Sequence, residues 1–299
     1  MFDKIIAFFI SVIFTILNAL GLGGVFGGIN SSDAYVFANM DYGKHERQVL
    51  DLAIPKDNDG EIGLVLFIHG GAWIAGDKDG YKDAVGSCAN DLGIAAAALN
   101  YRYLDESVSL HDIADDIDSA LSAIKTAGEK KGVKINKVLL TGSSAGAHLS
   151  MFYAYSRKDT APITPAAVCS YCGPTDLYDS NFYYESALGD TATVCGLMSW
   201  ACGQTFTIEE KDSAKDALYS VSPIAYVNEN TVPTILCHGE KDDVVPYSNA
   251  LSIIEKFEQY GVEYEFISYP NSDHGLANDP DCAKRADKLL HEYAIEYLK

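Results

Sequence analysis

The chain has 299 residues, room for one large α/β domain or two small ones, and 48% of them are apolar, enough for a sizeable core. A formal net charge of −20 excludes a nucleic-acid binder that works by neutralising phosphates. Charged residues make up an ordinary 21%, without a block of like charge, a fixed-period repeat or a low-complexity linker.

Residues 1–30 form the first unit. Lys4 precedes a run, Ile5 to Phe26, that is almost entirely apolar and long enough to span a bilayer. It reads as a secretory signal or signal anchor, as an amphipathic helix with Lys4, Ser11, Thr15 and Asn18 on one stripe, or as a buried helix or lid. The expected location is secreted or membrane-associated through residues 5–26, with the cytoplasm as the alternative.

Residues 31–299 read as an α/β domain. Arg47–Pro55 is an early strand. Leu64–Ile68 is an unbroken apolar run of strand length, as a central parallel strand requires. It ends in His69-Gly70-Gly71-Ala72-Trp73, a tight turn that exposes backbone. Tyr81–Leu92 is a helix, Ile94–Leu99 a strand, and Leu110–Ala127 a helix with apolar residues at helical spacing. A strand through Val138–Thr141 leads into Gly142-Ser143-Ser144-Ala145-Gly146 and a helix to about Tyr155. Ala166–Tyr171 is a strand. The segment 174–219 breaks the pattern and reads as an irregular insertion capping the site. Val232–Cys237 and Glu263–Tyr269 are strands, Ser248–Tyr260 and Asp281–Leu298 helices. Strand–helix alternation throughout predicts a mainly parallel sheet with helices on both faces.

Gly142 and Gly146 allow a sharp bend that lifts Ser144 from the end of its strand. The next helix then aims its N-terminus at a developing oxyanion. A serine hydroxyl needs a base within reach, and the base needs an orienting acid. His274, in Asn271-Ser-Asp-His-Gly275, directly follows one strand. Asp242, in His238-Gly-Glu-Lys-Asp242-Asp-Val-Val-Pro246, directly follows another. The order Ser144, Asp242, His274 places each group at the C-terminal end of a strand. Asp243 remains an alternative acid. Backbone N–H groups of Gly71, Ala72 and Ala145 are the candidate oxyanion donors, with Gly70 and Trp73 as candidate substrate contacts. His69 is expected to brace the glycine turn. His148, His111, His238 and His291 read as structural or exposed, His45 has no partner, and Asp273 is a turn carboxylate.

Seven cysteines cannot all pair within the chain. Cys88, Cys169 and Cys237 fall in predicted helix or strand and read as small buried residues. Cys169-x-x-Cys172 lacks a second CxxC or a nearby His pair, so no metal is assigned. Cys195 and Cys202 are the expected disulfide pair in an oxidising compartment.

With HGGAW, GSSAG, HGEKDDVVP and SDHG in this order, residues 47–299 resemble the α/β-hydrolase esterase/lipase group. The similarity is to carboxylesterases with an HGG-x-W oxyanion loop, related to the hormone-sensitive-lipase-like and bacterial feruloyl- or acetyl-esterase branches. Asn100-Tyr-Arg102 and Ser222-Pro223 fit the same group. The resemblance implies a mostly parallel central sheet flanked by helices, a cap after the sixth strand, the triad Ser144, Asp242 and His274, and no cofactor. It implies ester hydrolysis through an acyl-enzyme on short-chain or aryl esters, with esters on plant cell-wall carbohydrate among the candidates. Two rival readings are an amide or peptide hydrolase (arylformamidase- or exopeptidase-like) on the same triad and a catalytically dead binding module on this fold. Ala72 departs from the third glycine of many relatives, and neither the N-terminal run nor the cysteine-containing insertion belongs to the shared core.

Overall fold

The structure, a computed structural model, describes residues 32–299. The N-terminal unit expected at 1–30, including the apolar run 5–26, lies outside the described residues. Among the described residues, no helix is long and apolar enough to cross a membrane.

Eight strands form one sheet: β1 (Ala34–Asp41), β2 (Val49–Pro55), β3 (Glu61–Ile68), β4 (Ala95–Leu99), β5 (Lys134–Ser143), β6 (Thr164–Tyr171), β7 (Thr234–Gly239) and β8 (Tyr264–Tyr269). Their order is β1-β2-β4-β3-β5-β6-β7-β8. β2 pairs antiparallel with both neighbours, and every pair from β4 to β8 is parallel.

Side chains of a strand alternate between its faces, so a strand covered on both sides must be apolar at every position. β3 obeys this. Leu64, Leu66 and Ile68 enter one core with helices α2 (Leu110–Glu129) and α3 (Ala145–Ser156). Val65 and Phe67 enter a second core with α1 (Lys82–Asp91) and the C-terminal helix (Pro280–Leu298). The helical segments expected from the sequence are present, and α2 carries a reciprocal cap. Ser109 accepts from the Asp112 amide, and the Asp112 carboxylate accepts in return from the Ser109 N–H.

The structure corrects the sequence reading in three places. β1 was not anticipated. It is an edge strand, half-exposed, with a register shift between Phe37 and Met40 and Asn39 at φ 49°, so it lacks a clean apolar alternation. The insertion expected to be irregular is largely helical: α4 (Ser180–Tyr184), α5 (Thr191–Cys202), a 3-10 turn (Ile208–Ala214) and α6 (Lys215–Ser220). Asp179 and Asp190 cap α4 and α5. α5 has apolar residues around most of its circumference and is buried, which erases the one-sided pattern that marks a surface helix.

The third correction is the disulfide. Cys195 and Cys202 both lie on α5, and both are free thiols. Seven residues of helix separate them by about 10 Å along the axis, whereas a disulfide tolerates Cα atoms no more than about 7 Å apart. All seven cysteines are unpaired. The denatured protein should therefore release seven equivalents of thiol to a thiol reagent without prior reduction, and a reducing agent should leave the thermal midpoint unchanged.

Candidate active site

β5 ends at Ser143, and Ser144 makes the bend into α3 with φ 54° and ψ −121°. This backbone region is costly for any residue but glycine, on the order of 1–3 kcal/mol, and persists only where the surroundings enforce it. Two bonds do so at the elbow: Ser144 N–H donates to Tyr171 O (2.8 Å), and Ser144 O accepts from the His148 amide (2.9 Å). Two glycines let β3 approach. A Cβ on Gly142 would lie 2.3 Å from Ile68 O, and one on Gly146 2.0 Å from the same atom.

The turn after β3 sits against this elbow. A Cβ on Gly70 would lie 2.7 Å from Ser143 O and 3.4 Å from Ser144 Cβ, so only glycine fits. Gly71, Ala72 and Trp73 follow with φ of 118°, 49° and 61°. Three consecutive left-handed residues turn their amides out of the usual ladder. Among the described residues, nothing accepts a hydrogen bond from the N–H of Gly71 or Ala72. Ala145, as the first residue of α3, has an amide with no helical acceptor. Trp73 is 1% exposed, belongs to the main core cluster, and meets His148 edge-on at 5.1 Å between ring centroids.

A polar clamp holds the turn. Tyr101 Oη donates to His69 O (2.9 Å), and Tyr103 Oη to Gly76 O (2.6 Å). Arg47 donates from Nε to Tyr101 O (2.9 Å) and from Nη2 to Gly76 O and His69 Nε2 (3.1 Å each), while its guanidinium stacks 3.7 Å from the Tyr103 ring centre. With Nε2 accepting, the His69 proton sits on Nδ1 and goes to Gly70 O (2.8 Å). His69 braces the turn, as the sequence suggested. Tyr101 lies in the Asn100-Tyr-Arg102 motif, but Arg47 had no signal of its own, because its partners are backbone carbonyls and a ring distant in sequence.

The loops after β7 and β8 bring Asp242 and His274 together. His274 Nδ1 lies 2.7 Å from Asp242 Oδ2, with both side chains almost fully buried. The other carboxylate oxygen accepts from the amides of Val244 (2.9 Å) and Val245 (2.8 Å). Asp243 is exposed and turned away, so the acid partner of His274 is Asp242. Burial is the largest single influence on the Asp242 carboxyl and pushes its pKa up. The charges and hydrogen bonds of His274 and His238 outweigh it and hold the group well below the ordinary carboxylate range. The Ser144 hydroxyl forms no hydrogen bond with a described residue.

Two further residues hold this corner: His238, read from the sequence as structural or exposed, and Asp279, which the sequence did not single out. His238 is fully buried, donates from Nε2 to Val245 O (2.9 Å) and stands 3.3 Å from Asp242 Oδ2. Asp279 ties the His274 loop by accepting from Ser272 Oγ (2.6 Å), Asn271 N (3.0 Å) and Asn271 Nδ2 (2.8 Å). Asp273 is the turn carboxylate expected, accepting from Gly275 N at 2.9 Å. The insertion reaches the same corner. Ser186 Oγ donates to Val244 O (2.6 Å) and Ala187 N–H to Asp243 O (2.5 Å).

A mostly parallel sheet, a strained serine elbow and a buried Asp–His pair at the carboxyl ends of neighbouring strands define an α/β-hydrolase. The BD-FAE family model matches residues 50–257, and the chain belongs to that family. It is 24% identical over 245 residues to the isoprenylcysteine alpha-carbonyl methylesterase ICME of Arabidopsis thaliana, covering 78% of this chain and 55% of that protein. It is 25% identical over 240 residues to esterase LipC of Mycobacterium tuberculosis, covering 79% of this chain and 58% of that protein. The chain thus spans little more than half the length of these curated relatives. Among solved structures, a truncated carbohydrate esterase from gut microbiota superposes with a TM-score of 0.72 at 21% identity, covering 91% of this chain and all of that one.

Two buried histidines near the elbow make a pH test. Burial pulls His69 down to about 4, helped by Arg47 and opposed by the Gly70 bond and Asp77. Burial likewise pulls His148 down to about 4, against its bond to Val221 O. Both are neutral in the fold, so their contribution is complete above the ordinary value of about 6.5. As the pH falls from there towards about 4, the unfolded chain takes up protons that the folded chain refuses. Each histidine then removes about 1.4 kcal/mol of stability per pH unit. The thermal midpoint should drop steeply from about pH 6.5 towards about pH 4, and less steeply in His148→Gln.

Proposed function

We propose that this protein hydrolyses carboxylic esters through an acyl-enzyme on Ser144. His274 is the base and Asp242 its orienting acid. The amides of Gly71, Ala72 and Ala145 hold the oxyanion. The observation that carries the reading is the 2.7 Å bond between His274 Nδ1 and Asp242 Oδ2, on strand-end loops beside the elbow. An ionised carboxylate only accepts, so Nδ1 carries the proton and Nε2 is left basic.

Substrate brings its carbonyl carbon to Ser144 Oγ. As that bond forms, the hydroxyl proton passes to His274 Nε2, and Asp242 stabilises the imidazolium. Charge gathers on the carbonyl oxygen, where the turned-out amides stabilise it; losing one such donor typically costs about 3 kcal/mol of transition-state stabilisation. The tetrahedral species collapses, His274 returns its proton to the leaving alcohol, and water repeats the sequence to free the acid. The Ser144–His274 hydrogen bond belongs to the substrate complex, since catalytic contacts often tighten only there.

The names of the relatives support the substrate class: a methylesterase, an esterase and a carbohydrate esterase. We read the substrate as a short-chain or aryl ester, carbohydrate-linked esters included. The insertion 174–219 acts as a cap, supported by its bonds to the acid loop. The apolar run 5–26 supports export or membrane attachment. Fractionation of cells expressing the full chain should recover it outside the cytoplasm or with membranes, and recovery in the cytosol alone would refute that placement.

Ser144→Ala should lower turnover of p-nitrophenyl butyrate by roughly 10⁴-fold or more with an unchanged circular dichroism spectrum. Asp242→Asn should cost a comparable factor, because the amide favours the wrong imidazole tautomer, while Asp243→Asn stays near the native rate. Undiminished hydrolysis by Ser144→Ala would sink the assignment. A panel spanning acyl length, methyl ferulate and acetylated xylan then ranks the esters.

A further inference from the structure

Behind the Asp242–His274 pair stands a second group of chemically soft atoms. Cys172 follows β6, with its backbone at φ 52° and its side chain fully buried. Its sulfur, a ring nitrogen of His238 and a carboxylate oxygen of Asp242 all lie within 4.8 Å of one another. His238 Nε2 and Asp242 Oδ2 are only 3.3 Å apart. The other ring nitrogen of His238, Nδ1, is buried and has no partner among the described residues.

We propose that Cys172, His238 and Asp242 form a binding site for a soft divalent cation such as Zn²⁺, and that occupancy inhibits the enzyme by taking the carboxylate from His274. Thiolate, imidazole and carboxylate are a ligand set that zinc accepts, three from the protein with a water in the fourth place. Bond lengths of about 2.0–2.3 Å place neighbouring ligand atoms of a tetrahedron about 3.3–3.8 Å apart; His238 Nε2 and Asp242 Oδ2 already stand at 3.3 Å, and the sulfur, within 4.8 Å of both, has to close by no more than about 1.5 Å.

The protons balance without a redox step. Burial and the Asp242 charge push the Cys172 thiol up, so in the metal-free protein it is protonated. The cation displaces that proton, which leaves to solvent. His238 now donates from Nε2 to Val245 O. Coordination through Nε2 moves its proton to Nδ1, the unpartnered position. The path from solvent reaches the Asp242 end of the site, through a cavity of about 260 Å³ lined by Asn181, Glu185, Glu240, Asp242 and Tyr247 among others. Two glutamates on that path, on a protein of net charge −20, draw cations inward.

The inhibitory half of this inference rests on the hydrolase reading; the binding half does not. The full chain, stripped with EDTA, is titrated with Co²⁺ and, separately, assayed with Zn²⁺. The expected result is a thiolate-to-cobalt absorption band at one equivalent, and Zn²⁺ inhibition of p-nitrophenyl butyrate hydrolysis that EDTA reverses. In Cys172→Ser, and in Cys172→Ala should the first variant fold poorly, the band disappears. The Zn²⁺ concentration for half-inhibition, read against each variant's own metal-free rate, rises at least about tenfold. The partly exposed thiols Cys88, Cys202 and Cys282 remain in both variants as internal controls. A native protein without the band, a band that survives loss of Cys172, or unchanged half-inhibition in the variants would overturn the proposal. If the protein hydrolyses no ester, the cobalt spectrum alone decides the site.

Discussion

A buried carboxylate survives only if its lone pairs find donors. Asp242 meets that condition through three, the Val244 and Val245 amides on one oxygen and the His274 ring on the other, with the His238 ring 3.3 Å from that second oxygen. The amides come from its own loop, so the loop must fold tightly. The rings come from β7 and from the loop after β8, so those strands must end level with each other. The insertion adds Ser186 and Ala187 to the outer side of the loop. Most of the architecture at this corner follows from keeping one negative charge out of water and still satisfied.

The other half of the site depends on close approach rather than charge. β3 and β5 are neighbours, and their ends nearly collide. Gly142, Gly146 and Gly70 exist because the opposing surface there is backbone, which cannot move aside. Backbone strain at Ser144 and along Gly71–Trp73 is the consequence. It is offset by the Arg47, Tyr101 and Tyr103 clamp, which donates to the carbonyls of His69 and Gly76 at the two flanks of the strained turn. The oxyanion role proposed for the amides of this turn draws on its rigidity, because fixed donors need no reorganisation when charge develops.

The two halves share β6. Ser144 N–H donates to Tyr171 O, and the Cys172 amide donates to Cys237 O. The same strand end therefore steadies the elbow and carries a thiol towards the acid. The acid proposed for catalysis and the ligands proposed for a metal thus meet in a single corner.

The sequence by itself determined the α/β alternation, the core strands, the serine elbow and the loop addresses of Asp242 and His274. These follow from local rules: continuous apolar runs for strands covered on both faces, glycine where backbone meets backbone, and polar groups just past strand ends. The tertiary structure decided what depends on distant partners. Asp242 and Asp243 are adjacent in the chain, and only the orientation of their loop separates a buried acid from an exposed one. Arg47 looked like a strand leader until folding placed it against the His69–Gly76 turn. His238 looked like a bystander until its ring met the carboxylate. The insertion hid its helices because α5 is buried on most sides, and its two cysteines could be judged only once they were seen to share one helix. β1 stayed hidden because an edge strand needs only one apolar face, and its bulge interrupts even that.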